Sequence, residues 1–122
     1  LIEDRAADYS NLDPLSLIAD NAWCGGIVIG SPLKSWRDVD LANQPAKLSY
    51  NGEVEYTNTS AAMGNPLNSL AWLATLLAEQ GRSLKAGDIV MSGSTLATKF
   101  ANKGDRACYE VEGIGAVEVS IE

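Results

Sequence analysis

Two pairs of carboxylates and two loops of small residues are the parts of this 122-residue chain whose types and spacing could do chemistry. Glu53 and Glu55 flank Val54, and Glu110 and Glu112 flank Val111. On a strand, residues two apart share a face, so each pair would offer two oxygens to one hard cation. The same alternation describes any solvated strand face with its valine turned inward. Sixteen acidic residues make such pairs common, so the solvated reading is expected for both and no metal site is expected in this chain. Glu3, Asp4 and Asp8 form a looser acidic group that reads the same way. Of the loops, Met63-Gly64-Asn65-Pro66-Leu67-Asn68 runs into a helix start, where free backbone N–H groups and the positive dipole end suit a carboxylate. Ser92-Gly93-Ser94-Thr95 puts hydroxyls and a flexible backbone at the end of an expected strand. Each loop could hold a small anion, and each also reads as an ordinary turn.

Composition removes other chemistries. Histidine is absent, which excludes Ser-His-Asp and Cys-His catalysis and histidine-ligated zinc. Cys24 and Cys108 have no metal-ligand spacing and form no CxxC pair. They read as buried free thiols in a reducing compartment, with one disulfide as the other reading. Sixteen acids against nine bases give a net charge of −7, and no cluster of Lys and Arg offsets it, so a nucleic-acid partner is not expected. The longest nearly apolar run, Leu70 to Ala78, is far short of the ~20 residues that span a bilayer, so no membrane partner is expected either. No basic and then apolar leader opens the chain, and the expected location is cytoplasmic. Leu1-Ile2-Glu3-Asp4-Arg5 reads as a start within a domain. The length suits one domain over 1–122, and 46% hydrophobic with 20% charged residues is a globular balance.

The elements that must position the loops can be read locally. Asp13-Pro14 caps and starts a short helix over 14–23, and Gly25-Gly26 ends it before a buried strand Ile27-Val28-Ile29. Lys47–Tyr50 and Glu53–Tyr56 alternate around Asn51-Gly52, the favoured dipeptide of a two-residue hairpin. Asn65-Pro66 opens the main helix, 66–80, which Gly81 closes. Leu67, Leu70, Ala71, Leu73, Ala74, Leu77 and Ala78 form its apolar arc, while Trp72 and Leu76 sit together on the other side. Ile89-Val90-Met91 reads as a short buried strand, and Ala107–Val111 and Ala116–Ile121 as two more. Lys85-Ala86-Gly87-Asp88 and Asn102-Lys103-Gly104-Asp105 read as turns leading into strands. The class is α+β.

As a set, these residues resemble a known family. Ala19-Asp20-Asn21-Ala22 before a Gly-rich strand, Gly64-Asn65-Pro66-Leu67-Asn68 opening an Ala/Leu helix, and Leu84-Lys85-Ala86-Gly87-Asp88-Ile89-Val90 with Ser92-Gly93 resemble the fumarylacetoacetase superfamily. Gly104-Asp105 and Gly113-Ile114-Gly115-Ala116-Val117 fit its last hairpin. The nearest branch is that of the 2-keto-4-pentenoate hydratases and 4-oxalocrotonate decarboxylases, matched over the carboxyl-terminal half only. The resemblance implies a mixed β-sandwich roll and lyase chemistry on small 2-oxo acids with Mg²⁺ or Mn²⁺. It implies substrate contacts from Asp20, Asn21, Gly64, Asn65, Pro66, Ser94 and Thr95. It also implies that the metal's three carboxylates and the proton-moving lysine and aspartate precede Leu1, with Glu3 close to the third ligand position. Trp23 stands where the family has a serine near the substrate.

Two functions are compatible with this. One is the carboxyl-terminal portion of a metal-dependent 2-oxo acid hydratase or decarboxylase, inactive as this chain alone and lacking an amino-terminal half. The other is a stand-alone, non-catalytic assembly or small-ligand-binding domain of the same fold. Trp72 and Leu76 make helix 66–80 the expected contact of a homo-oligomer, unless the Ser31–Gln44 loop with Trp36 covers them.

Overall fold

The computed structural model describes residues 2–3, 10–11 and 13–122. In chain order the elements are β1 (Ile2–Glu3), α1 (Pro14–Ala19), β2 (Gly26–Ile27), β3 (Pro45–Tyr50), β4 (Glu53–Asn58), α2 (Pro66–Glu79), β5 (Arg106–Val111) and β6 (Gly115–Ser120). The class is α+β. Asp4, Asp8 and the Glu3 side chain lie outside the described residues.

The hairpin turn starts the sheet. Asn51 and Gly52 have φ of 51° and 89°, the positive pair that a two-residue loop of this twist requires and that glycine takes without steric cost. β3 and β4 pair from Tyr50↔Glu53 to Pro45↔Asn58. β5 adds to the other side of β3 and β6 to β5, all antiparallel, in the order β4-β3-β5-β6. β1 and β2 form a separate two-residue ribbon. Of a sandwich roll, the described residues thus supply one four-stranded layer and that ribbon.

Register sorts the side chains. Ala46, Leu48 and Tyr50 share one face with Glu55 and Thr57 of β4, Tyr109 and Val111 of β5, and Val117 of β6. Ala46 and Leu48 are 5% and 6% exposed and, with Ala62, form the buried apolar core. Segment 28–30 reaches this face at β6, where a Cβ on Gly30 would lie 3.0 Å from the Ala116 carbonyl oxygen. The opposite face is open: Val54 is 46% and Tyr56 79% exposed. The expected arrangement of Val54 inward between two solvated glutamates is therefore reversed. The hairpin sets Val54 opposite Ser49 and Glu55 opposite Leu48, and one residue of parity decides the face.

α2 is closed at both ends as its sequence asks. Asn65 caps it by accepting the Leu67 N–H at 2.9 Å, and Pro66 takes the first helical position. At the far end the Gly81 and Arg82 amides donate to the Ala78 and Leu77 carbonyls at 3.0 and 2.8 Å. No residue of the helix is buried. Its Leu70, Leu73, Leu76 and Leu77 are half-buried, whereas Trp72 is 65% and Leu67 43% exposed.

Several local expectations need correction. The first helix stops at Ala19 rather than 23, because Asn21, Ala22 and Trp23 adopt φ of 50°, 51° and 61° and form a left-handed turn. The strand at 27–29 is only Gly26–Ile27, and Ile29 is 65% exposed. Ile89-Val90-Met91 is not a strand: it has no ladder partner among the described residues, and Ile89 and Met91 are 57% and 45% exposed. Cys108 is a free thiol, and both it and Cys24 are half-buried rather than buried. No helix among the described residues is long and apolar enough to cross a membrane.

Candidate functional site

The carboxylate pairs do not assemble into a metal site. Glu55 is held by Lys99, and Glu110 by Lys47 at 3.1 Å, directly across the β3–β5 ladder. Glu53 and Glu112 are exposed at the strand ends. Among the described residues no group of three or more cysteine, aspartate or glutamate side chains could hold a metal ion. A divalent ion does not fit the described residues, and Glu55 lies on the core face opposite Leu48 rather than on a solvated one.

The two small-residue loops do meet. The Ser69 hydroxyl, in the first turns of α2, donates to the Ser92 carbonyl at 2.6 Å. A Cβ on Gly93 would lie 3.8 Å from that of buried Ala62, just before Gly64. Thr57 on β4 donates its hydroxyl to the Thr95 carbonyl at 2.8 Å, and the Thr95 and Tyr109 hydroxyls bond at 2.7 Å. Three elements, α2, β4 and β5, thus pin the Ser92–Thr95 loop by two carbonyls and one hydroxyl. The amides of Gly93, Ser94 and Thr95 have no acceptor among the described residues. The Ser94 hydroxyl turns to the Leu96 carbonyl.

The helix start offers less than its sequence promised. Pro66 has no N–H, the Leu67 amide goes to the Asn65 side chain, and the Asn68 amide donates to the Asn65 carbonyl at 2.9 Å. The first-turn donors expected to receive a carboxylate are occupied, so Gly64, Asn65 and Pro66 shape the loop rather than present free amides. The Asn68 side chain reinforces this by donating to the Met63 carbonyl at 2.9 Å.

Asp20 and Asn21 belong to a separate turn. Asp20 caps α1 through its backbone and is half-buried, while Asn21 begins the left-handed run that ends at half-buried Trp23. Thr57, Ser69 and Tyr109 were not legible as site residues. Thr57 and Tyr109 come together only because both flank β3 on the same face, a pairing of long sequence separation.

A polar cluster with shifted groups lies elsewhere. Asp105 accepts the Asn102 amide at 2.8 Å, the Tyr50 hydroxyl, and the Asn51 side-chain amide at 2.9 Å. These bonds, the Asn102 amide first, hold its carboxyl below the usual carboxylate range, and the same contact raises the Tyr50 phenol. This cluster ties the hairpin turn to the start of β5.

Comparison with known proteins accounts for the arrangement. Residues 4–122 match the family described as Fumarylacetoacetate (FAA) hydrolase C-terminal. The chain is 35% identical over 118 residues to the 4-oxalocrotonate decarboxylase of Pseudomonas putida, covering 96% of this chain and 44% of that one. It is 34% identical over 123 residues to the 2-keto-4-pentenoate hydratase of Paraburkholderia xenovorans (strain LB400), covering 100% and 45%. The solved 4-oxalocrotonate decarboxylase of Pseudomonas putida G7, complexed with magnesium and adipate, superposes with a TM-score of 0.85 at 34% identity over 99% of this chain and 46% of that one. The chain thus spans less than half the length of each of these relatives. It belongs to the fumarylacetoacetate hydrolase family.

Proposed function

We propose that this chain supplies the carboxyl-terminal part of a divalent-metal-dependent hydratase or decarboxylase of 2-oxo acids. The observation that carries the reading is the superposition over 99% of the chain on a decarboxylase complexed with magnesium and a dicarboxylate. In this reading the Ser92–Thr95 loop forms one wall of the substrate site. The amides of Gly93, Ser94 and Thr95 donate to a substrate carboxylate, and Gly64, Asn65 and Pro66 set the loop's depth. Asp20 and Asn21 supply a second wall. Thr57 and Tyr109 are positioning residues that act through Thr95. Carboxylates that hold Mg²⁺ or Mn²⁺ belong outside the described residues.

A second reading, a non-catalytic ligand-binding or assembly module, is favoured by Trp23 in the place of the family's serine. An indole there removes a small hydroxyl and fills space. The test assays the chain with 2-hydroxypenta-2,4-dienoate or 4-oxalocrotonate and Mg²⁺ or Mn²⁺, alone and co-expressed with the part of the Pseudomonas putida decarboxylase that it does not match. Turnover only with the added part is expected. Turnover by the chain alone would overturn the division of labour, and carboxylate binding without turnover in either case would establish the module.

A further inference from the structure

We propose that Glu55 and Lys99 are a positioning pair for the Ser92–Thr95 loop: their ion pair ties the chain leaving the loop to β4, so that the loop's amides keep one place. The proposal rests on the lyase reading for what those amides meet. It deepens that reading by giving the loop a support that its hydroxyl contacts do not supply.

Placement comes first. β4 turns Glu55 and Thr57 to the same face of the sheet, opposite Leu48 and Ala46 of β3. Thr57 holds the Thr95 carbonyl at 2.8 Å, and Glu55, the next residue along that face, holds the Lys99 ammonium. Tyr109, on the far side of β3, meets the Thr95 hydroxyl at 2.7 Å. One strand therefore grips the chain at two points, the last residue of the loop and a residue four further on.

The second observation is how little else holds this stretch. Among the described residues no backbone–backbone hydrogen bond involves residues 92–99. Side chains hold it instead: Ser69 at Ser92, Thr57 and Tyr109 at Thr95, and Glu55 at Lys99. Beyond Thr95, and as far as Lys99, the ion pair is the only polar tether to the sheet among the described residues. Without it the departing chain is free to turn about the Thr95 contacts and to carry the neighbouring amides with it. Groups that bind a ligand keep their geometry only as well as the side chains behind them are held.

The third is the kind of support the pair gives. The Lys99 and Glu55 side chains are 32% and 42% exposed, and an ion pair so open to water adds little to overall stability. The Lys47–Glu110 pair joins two strands whose ladder already fixes both partners. Glu55–Lys99 instead joins a strand to a segment without a ladder, where a side-chain contact decides the path of the chain. Glu53 shares the face of Glu55, stands exposed at the hairpin and has no partner among the described residues, which makes it a control for charge alone.

The test reads ¹⁵N relaxation at Gly93, Ser94 and Thr95 in the whole chain. Their order parameters are expected to fall from about 0.85 to below about 0.6 in Lys99→Gln and in Glu55→Gln. They should stay unchanged in Glu53→Gln and recover in the charge-reversed Glu55→Lys/Lys99→Glu, with the urea midpoint unmoved in all four variants. Loop order unchanged in both single variants overturns the proposal, as does a charge-reversed chain that fails to recover it. So does a midpoint that falls together with order across β3 and β4, which would make the pair a support of the sheet. Adipate added to the same samples tests the lyase reading separately. Loop amides that shift in the wild type, and at least threefold less in Lys99→Gln at equal adipate, support both. Variants that loosen the loop while the wild type ignores adipate support the positioning pair and count against the carboxylate site instead.

Discussion

The β3–β6 sheet and the stretch from α2 to Phe100 are written in equally apolar sequence, and they end in different states. Every strand of the sheet is laddered along six residues to at least one neighbour, and Ala46 and Leu48 at its centre are closed from solvent. Between Pro66 and Phe100, by contrast, Trp72, Ile89, Met91 and Phe100 are 65%, 57%, 45% and 66% exposed, and an expected strand has no ladder. The sheet finds its partners inside these residues because the Asn51-Gly52 turn places β4 beside β3 at once. The second region has caps and turns as good as the first but meets the sheet through single side chains such as Thr95 and Lys99 rather than along a ladder. Local signals suffice for an element to form; burial needs a neighbour.

The comparison predicts a large asymmetry in stability. Leu48→Ala removes a 6%-exposed side chain from the central strand and is expected to cost about 3 kcal/mol, as large-to-small core changes do. Leu67→Ala, at 43% exposed, is expected to cost less than about 1 kcal/mol, because little apolar area is withdrawn from water there and alanine favours helix. Urea titration of both variants checks this, and equal costs would erase the distinction between the regions.

A smaller effect is expected at the turn that creates the sheet. Gly52 has φ of 89°, a conformation that costs a residue with a Cβ about 1–2 kcal/mol. Gly52→Ala should lower the urea midpoint accordingly without altering the strand content seen by circular dichroism. An unchanged midpoint would mean that the hairpin is not what holds β4 to β3.

The sequence was most legible where structure is local. Asp13-Pro14, Asn51-Gly52, Asn65-Pro66 and the Gly104-Asp105 turn all occur where their chemistry places them. It was least legible where a neighbour decides. Ile89-Val90-Met91 has the composition of a strand, but a strand is a relation between two segments. Val54 turned outward because register, not its own side chain, chose its face. The same limit holds for the site: Ser94 and Thr95 were readable as a loop, whereas Thr57 and Tyr109, which hold Thr95, depend on strands brought together across β3.

Two similar turns allow the comparison to be made with pH. Among the described residues the Asp88 carboxylate accepts only the Lys85 amide, at 2.8 Å, whereas Asp105 accepts the Asn102 amide and the side chains of Tyr50 and Asn51. Asp105→Asn is therefore expected to lower the urea midpoint at neutral pH more than Asp88→Asn does. Because the Asp105 carboxyl is depressed in the folded chain, its contribution is present above the ordinary carboxylate value of about 3.9 and lost as pH falls through the lower folded value. The difference between wild type and Asp105→Asn should then close on acidification. The raised Tyr50 phenol has the opposite sign: its contribution is present below about pH 10 and lost as pH rises beyond it. A difference that persists unchanged at pH 2 would show that the carboxylate is not what ties the turn to β5.

The smallest effect is expected where the sequence promised the most and the structure delivers the least. Ile89 and Met91 lie in an apolar run that would be core in a completed strand, and replacing core residues with serine costs several kcal/mol. In this chain they are more than 40% exposed, so Ile89→Ser/Met91→Ser removes little buried area and should change the unfolding free energy by no more than about 0.5 kcal/mol. The same pair should reduce self-association at high concentration, since exposed apolar side chains on an unpaired extended segment promote it. Paired urea titrations and light scattering read the two effects separately. A loss of 2 kcal/mol or more would mean that residues 89–91 are packed in solution, and that the second region closes on itself as the sheet does.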